Sequence, residues 1–83
     1  MGQVKVYGAD WCEDTKGTRE FLEKLGVDYD YVNIEENEQA ADWVKRQNDG
    51  RERKPTVKIG EHVLSVPSDE ELEGALRAQN LLS

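Results

Sequence analysis

With a single cysteine in 83 residues, no disulfide can close within this chain. One cysteine and one histidine also fall short of the four ligands a structural zinc site takes. No apolar run approaches the roughly 20 residues of a membrane span. Basic residues are scarce, 11 Lys and Arg against 18 Asp and Glu, for a net charge of −7. Nucleic acid and anionic membrane surfaces select basic proteins, so neither is an expected partner, and the charge reads as a solubility charge. Repeats, low-complexity segments and linkers are absent too. What is left is one domain over residues 1–83, short enough to bury only about 60% of its unfolded surface, hence one compact core. The first residues enter a strand pattern at once, without a leader-like run, so the cytoplasm is the expected compartment. A monomer is the expected state.

Alternation of Val4 and Val6 with Lys5 and Tyr7 predicts a strand over about 3–7. Gly8-Ala9-Asp10-Trp11 reads as a loop, followed by a helix from about Cys12 to Leu25. Phe21, Leu22 and Leu25 share one face of it, Thr18 extends that face, and Gly26 is a suitable stop. A second strand is expected from Tyr29 to Ile34. A second helix runs from about Asn37 to Asn48, with Ala40, Trp43 and Val44 inward. After the charged loop Arg51-Glu52-Arg53-Lys54, Pro55–Ile59 and His62–Val66 form strands around Gly60-Glu61, a type II′ hairpin. Ser68 and Glu71 make a capping box for a third helix with Leu72, Ala75 and Leu76 buried. The tail Asn80–Ser83 is expected to fray. Strand, helix, strand at the start calls for a parallel crossover, and the closing hairpin adds an antiparallel pair. The expected architecture is α/β, ordered β-α-β-α-β-β-α, a four-stranded mixed sheet with helices on both faces.

Cys12 lies where a loop meets a helix N-terminus. Free backbone N–H groups and the helix dipole there favour a thiolate, the reactive form of the side chain, while Glu13 and Asp14 oppose it. The alternative is a small buried hydrophobe. Thr15 lies one turn on. Its hydroxyl is placed to donate to the Cys12 sulfur, or it is simply a first-turn threonine. It has no thiol, so it cannot resolve a mixed disulfide. Trp11 reads as an aromatic lip beside the thiol. Trp43 reads as core, Tyr7, Tyr29 and Tyr31 as strand packing, and His62 as structural.

Val4-Lys5-Val6-Tyr7-Gly8 leads into Trp11-Cys12-Glu13-Asp14-Thr15, and Phe21–Val27 is followed by Tyr31-Val32-Asn33-Ile34-Glu35. Lys54-Pro55-Thr56-Val57 and Val66-Pro67-Ser68-Asp69 complete the set. In this order and spacing the chain resembles the glutaredoxins, especially the short bacterial glutaredoxin-like and mycoredoxin group. The resemblance implies a thioredoxin-like fold, a cis bond before Pro55, and Cys12 as nucleophile. It also implies no tightly bound cofactor, a low-molecular-weight thiol cosubstrate (glutathione, mycothiol or bacillithiol), and thiol-containing protein partners. Arg51 and Arg53 stand near the family's site for the glutathione carboxylates. Ser68 and Asp69 match its site for the γ-glutamyl end. Lys54 precedes the proline, and its ammonium is a candidate to approach Cys12, with a solvated loop lysine as the alternative. Two departures stand out. Thr15 replaces the second cysteine of dithiol members, and Glu13-Asp14 differs from the Gly-Phe of the iron–sulfur carriers. The expected function is monothiol thiol–disulfide exchange on mixed disulfides. A non-catalytic binding or adaptor module and a thiol-anchored iron–sulfur carrier are the alternatives.

Overall fold

The computed structural model describes residues 3–82, so Met1, Gly2 and Ser83 lie outside it. The elements are β1 (Val4–Gly8), α1 (Glu13–Lys24), β2 (Asp30–Asn33), α2 (Glu38–Gln47), β3 (Thr56–Ile59), β4 (His62–Ser65) and α3 (Asp69–Ala78). Their order is the expected one. The sheet runs β2-β1-β3-β4. β1 is parallel to β2, with Lys5 opposite Asp30 and Gly8 opposite Asn33. β3 is antiparallel to both β1 and β4.

Strand alternation assigns the two faces. Val4, Val6, Val57 and Ile59 pack on Leu22 of α1 and on Leu72 and Leu76 of α3. On the opposite face, Tyr7 and Val32 pack against Ile34 and against Ala40, Ala41, Trp43 and Val44 of α2. The Tyr7 and Trp43 rings lie 4.7 Å apart, so Trp43 is core as its helical stripe implied. Helices therefore cover both faces. Among the described residues, no helix is long and apolar enough to cross a membrane.

Two strands end earlier than expected. Strand β4, expected to reach Val66, stops at Ser65, because Val66 turns to φ +45°. Strand β2 stops at Asn33, whose side-chain oxygen and carbonyl accept the N–H groups of Glu35 and Glu36 in a turn. The Gly60-Glu61 turn has φ +60° at Gly60 alone, as a type II′ hairpin requires. The expected fraying of the tail is also corrected for Asn80, Leu81 and Leu82, while Ser83 lies outside the described residues. Asn80 takes φ +58°, its N–H bonds Arg77 O at 3.1 Å, and Leu81 N–H bonds Leu76 O at 2.9 Å. This Schellman geometry folds Leu81 and Leu82 back onto the core.

Candidate active site

Strand β1 ends at Gly8, at the edge of the sheet nearest the start of α1. One turn lies between them, closed by Cys12 N–H bonding Ala9 O at 3.1 Å. Cys12 is the N-cap of α1, with extended backbone at φ −80° and ψ 121°. Lys16 N–H is the first helical donor, to Cys12 O at 3.0 Å. The N–H groups of Glu13, Asp14 and Thr15 have no helical acceptor, as at any helix start. The thiol occupies the place of a capping side chain but caps nothing. Half-buried, it donates instead to the carbonyl oxygen of Lys54, 3.7 Å away and 42 positions along the chain. A thiolate has no proton to donate and is repelled by that oxygen.

Thr15 is 1% exposed. Its side chain fills the junction between β1 and α1, and Oγ1 accepts a long hydrogen bond from Ala9 N–H at 3.5 Å. The expected donation to the Cys12 sulfur is not among the described hydrogen bonds. The side chain faces the strand because Gly8, lacking a Cβ, leaves it space.

Trp11 is 61% exposed and forms the lip. Its indole N–H donates to Glu35 at 2.7 Å, and the Lys54 ammonium lies 5.4 Å from the ring centroid. The same ammonium pairs with Glu52 at 3.2 Å. It is thus the Lys54 carbonyl, not its ammonium, that meets the sulfur. The Lys54–Pro55 bond is cis, as the resemblance implied. The Glu13 side chain is 87% exposed and pairs with Lys16 at 3.5 Å, so its charge is screened by solvent.

A second set of contacts holds the loop before Trp11. The Tyr31 hydroxyl donates to Asp10 at 2.7 Å. The Arg19 guanidinium carbon lies 3.8 Å from the Tyr31 ring centroid, and Arg19 Nε donates to the Tyr29 hydroxyl at 3.1 Å. Tyr29 and Tyr31 pack against the core as expected, and their hydroxyls add these contacts. Burial, then the hydrogen bond to Asp10, pushes Tyr31 up to about 12. Tyr7 and Tyr29 are also raised, chiefly by burial. A phenol raised in the folded chain contributes stability that is fully present below its unfolded value of about 10 and is lost as pH rises through the folded value. Unfolding free energy is therefore expected to fall between about pH 10 and about 12. In Tyr31→Phe, denaturant titrations across that window should show a shallower fall.

The proline side of the site rests on Asn48, which the sequence showed only as a helix end. Its side-chain N–H groups donate to Val44 O at 2.7 Å and Thr56 Oγ1 at 3.2 Å. Its side-chain oxygen accepts from the Ser65 hydroxyl. Thr56 Oγ1 in turn donates to Arg53 O at 2.8 Å. This buried network ties α2, β3 and β4 together beneath Pro55. Asn48→Ala leaves its partners unsatisfied and is expected to cost about 1–3 kcal/mol, read by denaturant unfolding.

Arg51 and Arg53 are exposed and, with Gln47, Asn48 and Asp49, line an open recess of about 450 Å³ at the end of α2. No described contact joins their guanidinium groups to Cys12. Ser68 caps α3: its hydroxyl accepts from Glu71 N–H at 3.1 Å, and Glu71 accepts from Ser68 N–H at 2.8 Å. The hydroxyl is thus engaged in the capping box, and Asp69 is exposed at the first helical position. His62 is exposed at the start of β4.

A family model, Glutaredoxin, matches residues 4–64, from β1 through most of β4. Mycoredoxin 1 of Corynebacterium glutamicum is 34% identical over 61 residues, covering 74% of this chain and 75% of its own. Among solved structures, a glutaredoxin from Archaeoglobus fulgidus superposes with a TM-score of 0.81 at 29% identity, covering 93% of this chain and 88% of that one. A glutaredoxin from Methanosarcina mazei Go1 has a TM-score of 0.70 at 32% identity, covering 89% and 78%. The lone thiol at a helix N-cap beside a cis-proline thus sits in a matched family framework, and the chain belongs to the glutaredoxin family of the thioredoxin superfamily, with a thiol–disulfide oxidoreductase type of role.

Proposed function

We propose that the protein reduces mixed disulfides between proteins and a low-molecular-weight thiol by a monothiol cycle at Cys12. The carrying observation is Thr15. The residue where a dithiol site holds its second sulfur is buried against β1 and bears a hydroxyl. In the first step the Cys12 thiolate attacks the small-thiol sulfur of the mixed disulfide. A Cys12–sulfur bond forms, the original S–S bond breaks, and the protein sulfur leaves as a thiolate that takes up a proton. A second small-thiol molecule, as its thiolate, then attacks the sulfur carried on Cys12. The symmetric small-thiol disulfide leaves and the Cys12 thiolate returns.

Trp11 and the Lys54–Pro55 segment flank the sulfur and are assigned to the substrate. Pro55 directly precedes strand β3, and the backbone before it can pair with an extended chain. Arg51 and Arg53 offer two guanidinium groups for small-thiol carboxylates. The open N–H groups at the start of α3, beside Ser68 and Asp69, suit the opposite end. Three carboxylates in that first turn (Asp69, Glu70, Glu71) favour a ligand whose amine faces them. The carboxylate and amine contacts suit glutathione, since mycothiol carries neither group, and the similarity to a mycoredoxin makes mycothiol a cosubstrate to test beside glutathione and bacillithiol. The test is a mixed-disulfide reduction assay run in parallel with the three thiols. Turnover with one of them supports the cycle and names the cosubstrate, and no turnover with any of them refutes it.

A further inference from the structure

Among the described residues, three that are not glycine have positive φ: Asp49 at 56°, Asn80 at 58° and Val66 at 45°. Asp49 and Asn80 follow helix ends, and their short polar side chains tolerate the left-handed region. Val66 is β-branched, a type for which this region is a genuine outlier. No packing explains it. Val66 is 40% exposed, and with Trp11 it makes up the large hydrophobic residues exposed among those described. The backbones of both border the contact between Cys12 and Lys54. Trp11 adjoins Cys12, and Val66 N–H bonds Pro55 O at 2.8 Å, one residue beyond the carbonyl that meets the Cys12 sulfur.

A glycine would adopt this backbone without strain, yet the chain holds an isopropyl group there, facing water. Strain of this kind is kept where it serves a ligand. We infer that Val66 is a specificity-determining residue: with Trp11 it forms the apolar wall against which the CH₂–S–S–CH₂ stem of the mixed disulfide lies as Cys12 attacks. The stem is the apolar part of an otherwise polar substrate. Confining it between two apolar groups fixes the line of the S–S bond relative to the attacking sulfur, as in-line displacement requires.

This inference rests on the proposed monothiol cycle, and its test separates the two. Val66→Gly and Val66→Ala are compared with the wild type, using a peptide–mycothiol and a peptide–glutathione mixed disulfide. Val66→Gly relieves the backbone, so its Tm is expected to rise by about 4 °C, the shift of roughly 1 kcal/mol in a domain this size. Its KM is expected to rise about tenfold as the apolar contact is lost, with a smaller change in kcat. Val66→Ala keeps the left-handed backbone without the isopropyl group, so its KM rises without a gain in Tm. A residue that merely tolerates its strain would give a more stable Val66→Gly with unchanged KM. That result overturns the inference, as does a Val66→Gly whose Tm falls. A wild type that turns over neither substrate with any of the three thiols overturns the cycle, and this inference with it. A wild type that turns over beside variants of unchanged KM overturns the inference alone.

Discussion

Cys12→Ser is expected to lower the rate of mixed-disulfide reduction by about 10³-fold or more, the scale seen when a covalent nucleophile is removed. The hydroxyl keeps the size and most of the geometry of the thiol. It does not ionise near neutral pH, however, and oxygen does not form the mixed disulfide the cycle passes through. No second thiol is present to substitute, because this is the chain's only cysteine. The fold should be indifferent to the change. Cys12 is half-buried, caps nothing with its side chain, and makes one weak contact to Lys54 O. Its unfolding free energy is therefore expected to stay within about 0.5 kcal/mol of wild type. Initial rates and a denaturant titration on the same preparation check both halves. If Cys12→Ser keeps its activity, thiol chemistry at this site is refuted and recognition by the Trp11–Pro55 surface becomes the better reading.

The largest expected loss of stability from a change at the site follows Gly8→Ala. A Cβ at position 8 would lie 2.4 Å from Thr15 Oγ1 and 2.6 Å from Thr15 Cγ2. Both atoms are buried at the junction of β1 and α1, so the strand or the first turn of the helix must move. Overpacking of this kind costs about 1–3 kcal/mol, and with so little room the upper end applies, a Tm lower by about 10 °C or more. Displacing the first turn also displaces Cys12, so activity should fall below what the folded fraction accounts for. Thr15→Ala removes the two offending atoms and leaves Cβ, itself 3.0 Å from the added methyl. The double variant Gly8→Ala, Thr15→Ala is then expected to be more stable than the sum of the single changes, by about 1–2 kcal/mol. A double-mutant cycle measured by denaturant unfolding tests it, and additive costs would show that Gly8 and Thr15 do not meet.

The elements legible in the sequence are those whose information is local. Val4 and Val6 announce their strand by alternation, Ser68 and Glu71 announce a helix start three residues apart, and Gly26 announces a helix end. Each signal lies within about one turn of the structure it specifies. The tail shows where such reading fails. Asn80-Leu81-Leu82 resembles a loose end until the Asn80 turn lets Leu81 reach back to Leu76. Lys54 was a fair candidate to approach the thiol, and it does reach the site. Its carbonyl makes the contact while its ammonium is drawn to Glu52 and Trp11, a choice set by neighbours that sequence order does not bring together.

The sequence by itself determined the order of the elements, the position of Cys12 at a helix start, and the absence of any partner thiol in the chain. These follow from local backbone preference and from composition. Tertiary structure alone decided that Thr15 turns inward under Gly8, that Asn48 braces the proline loop, that Tyr31 holds Asp10, and that Val66 is bent into a left-handed turn against Pro55. Each joins residues between 7 and 21 positions apart. Such contacts exist only once the sheet has brought the end of β1, the start of β3 and the end of β4 side by side, and no local pattern in the chain encodes them.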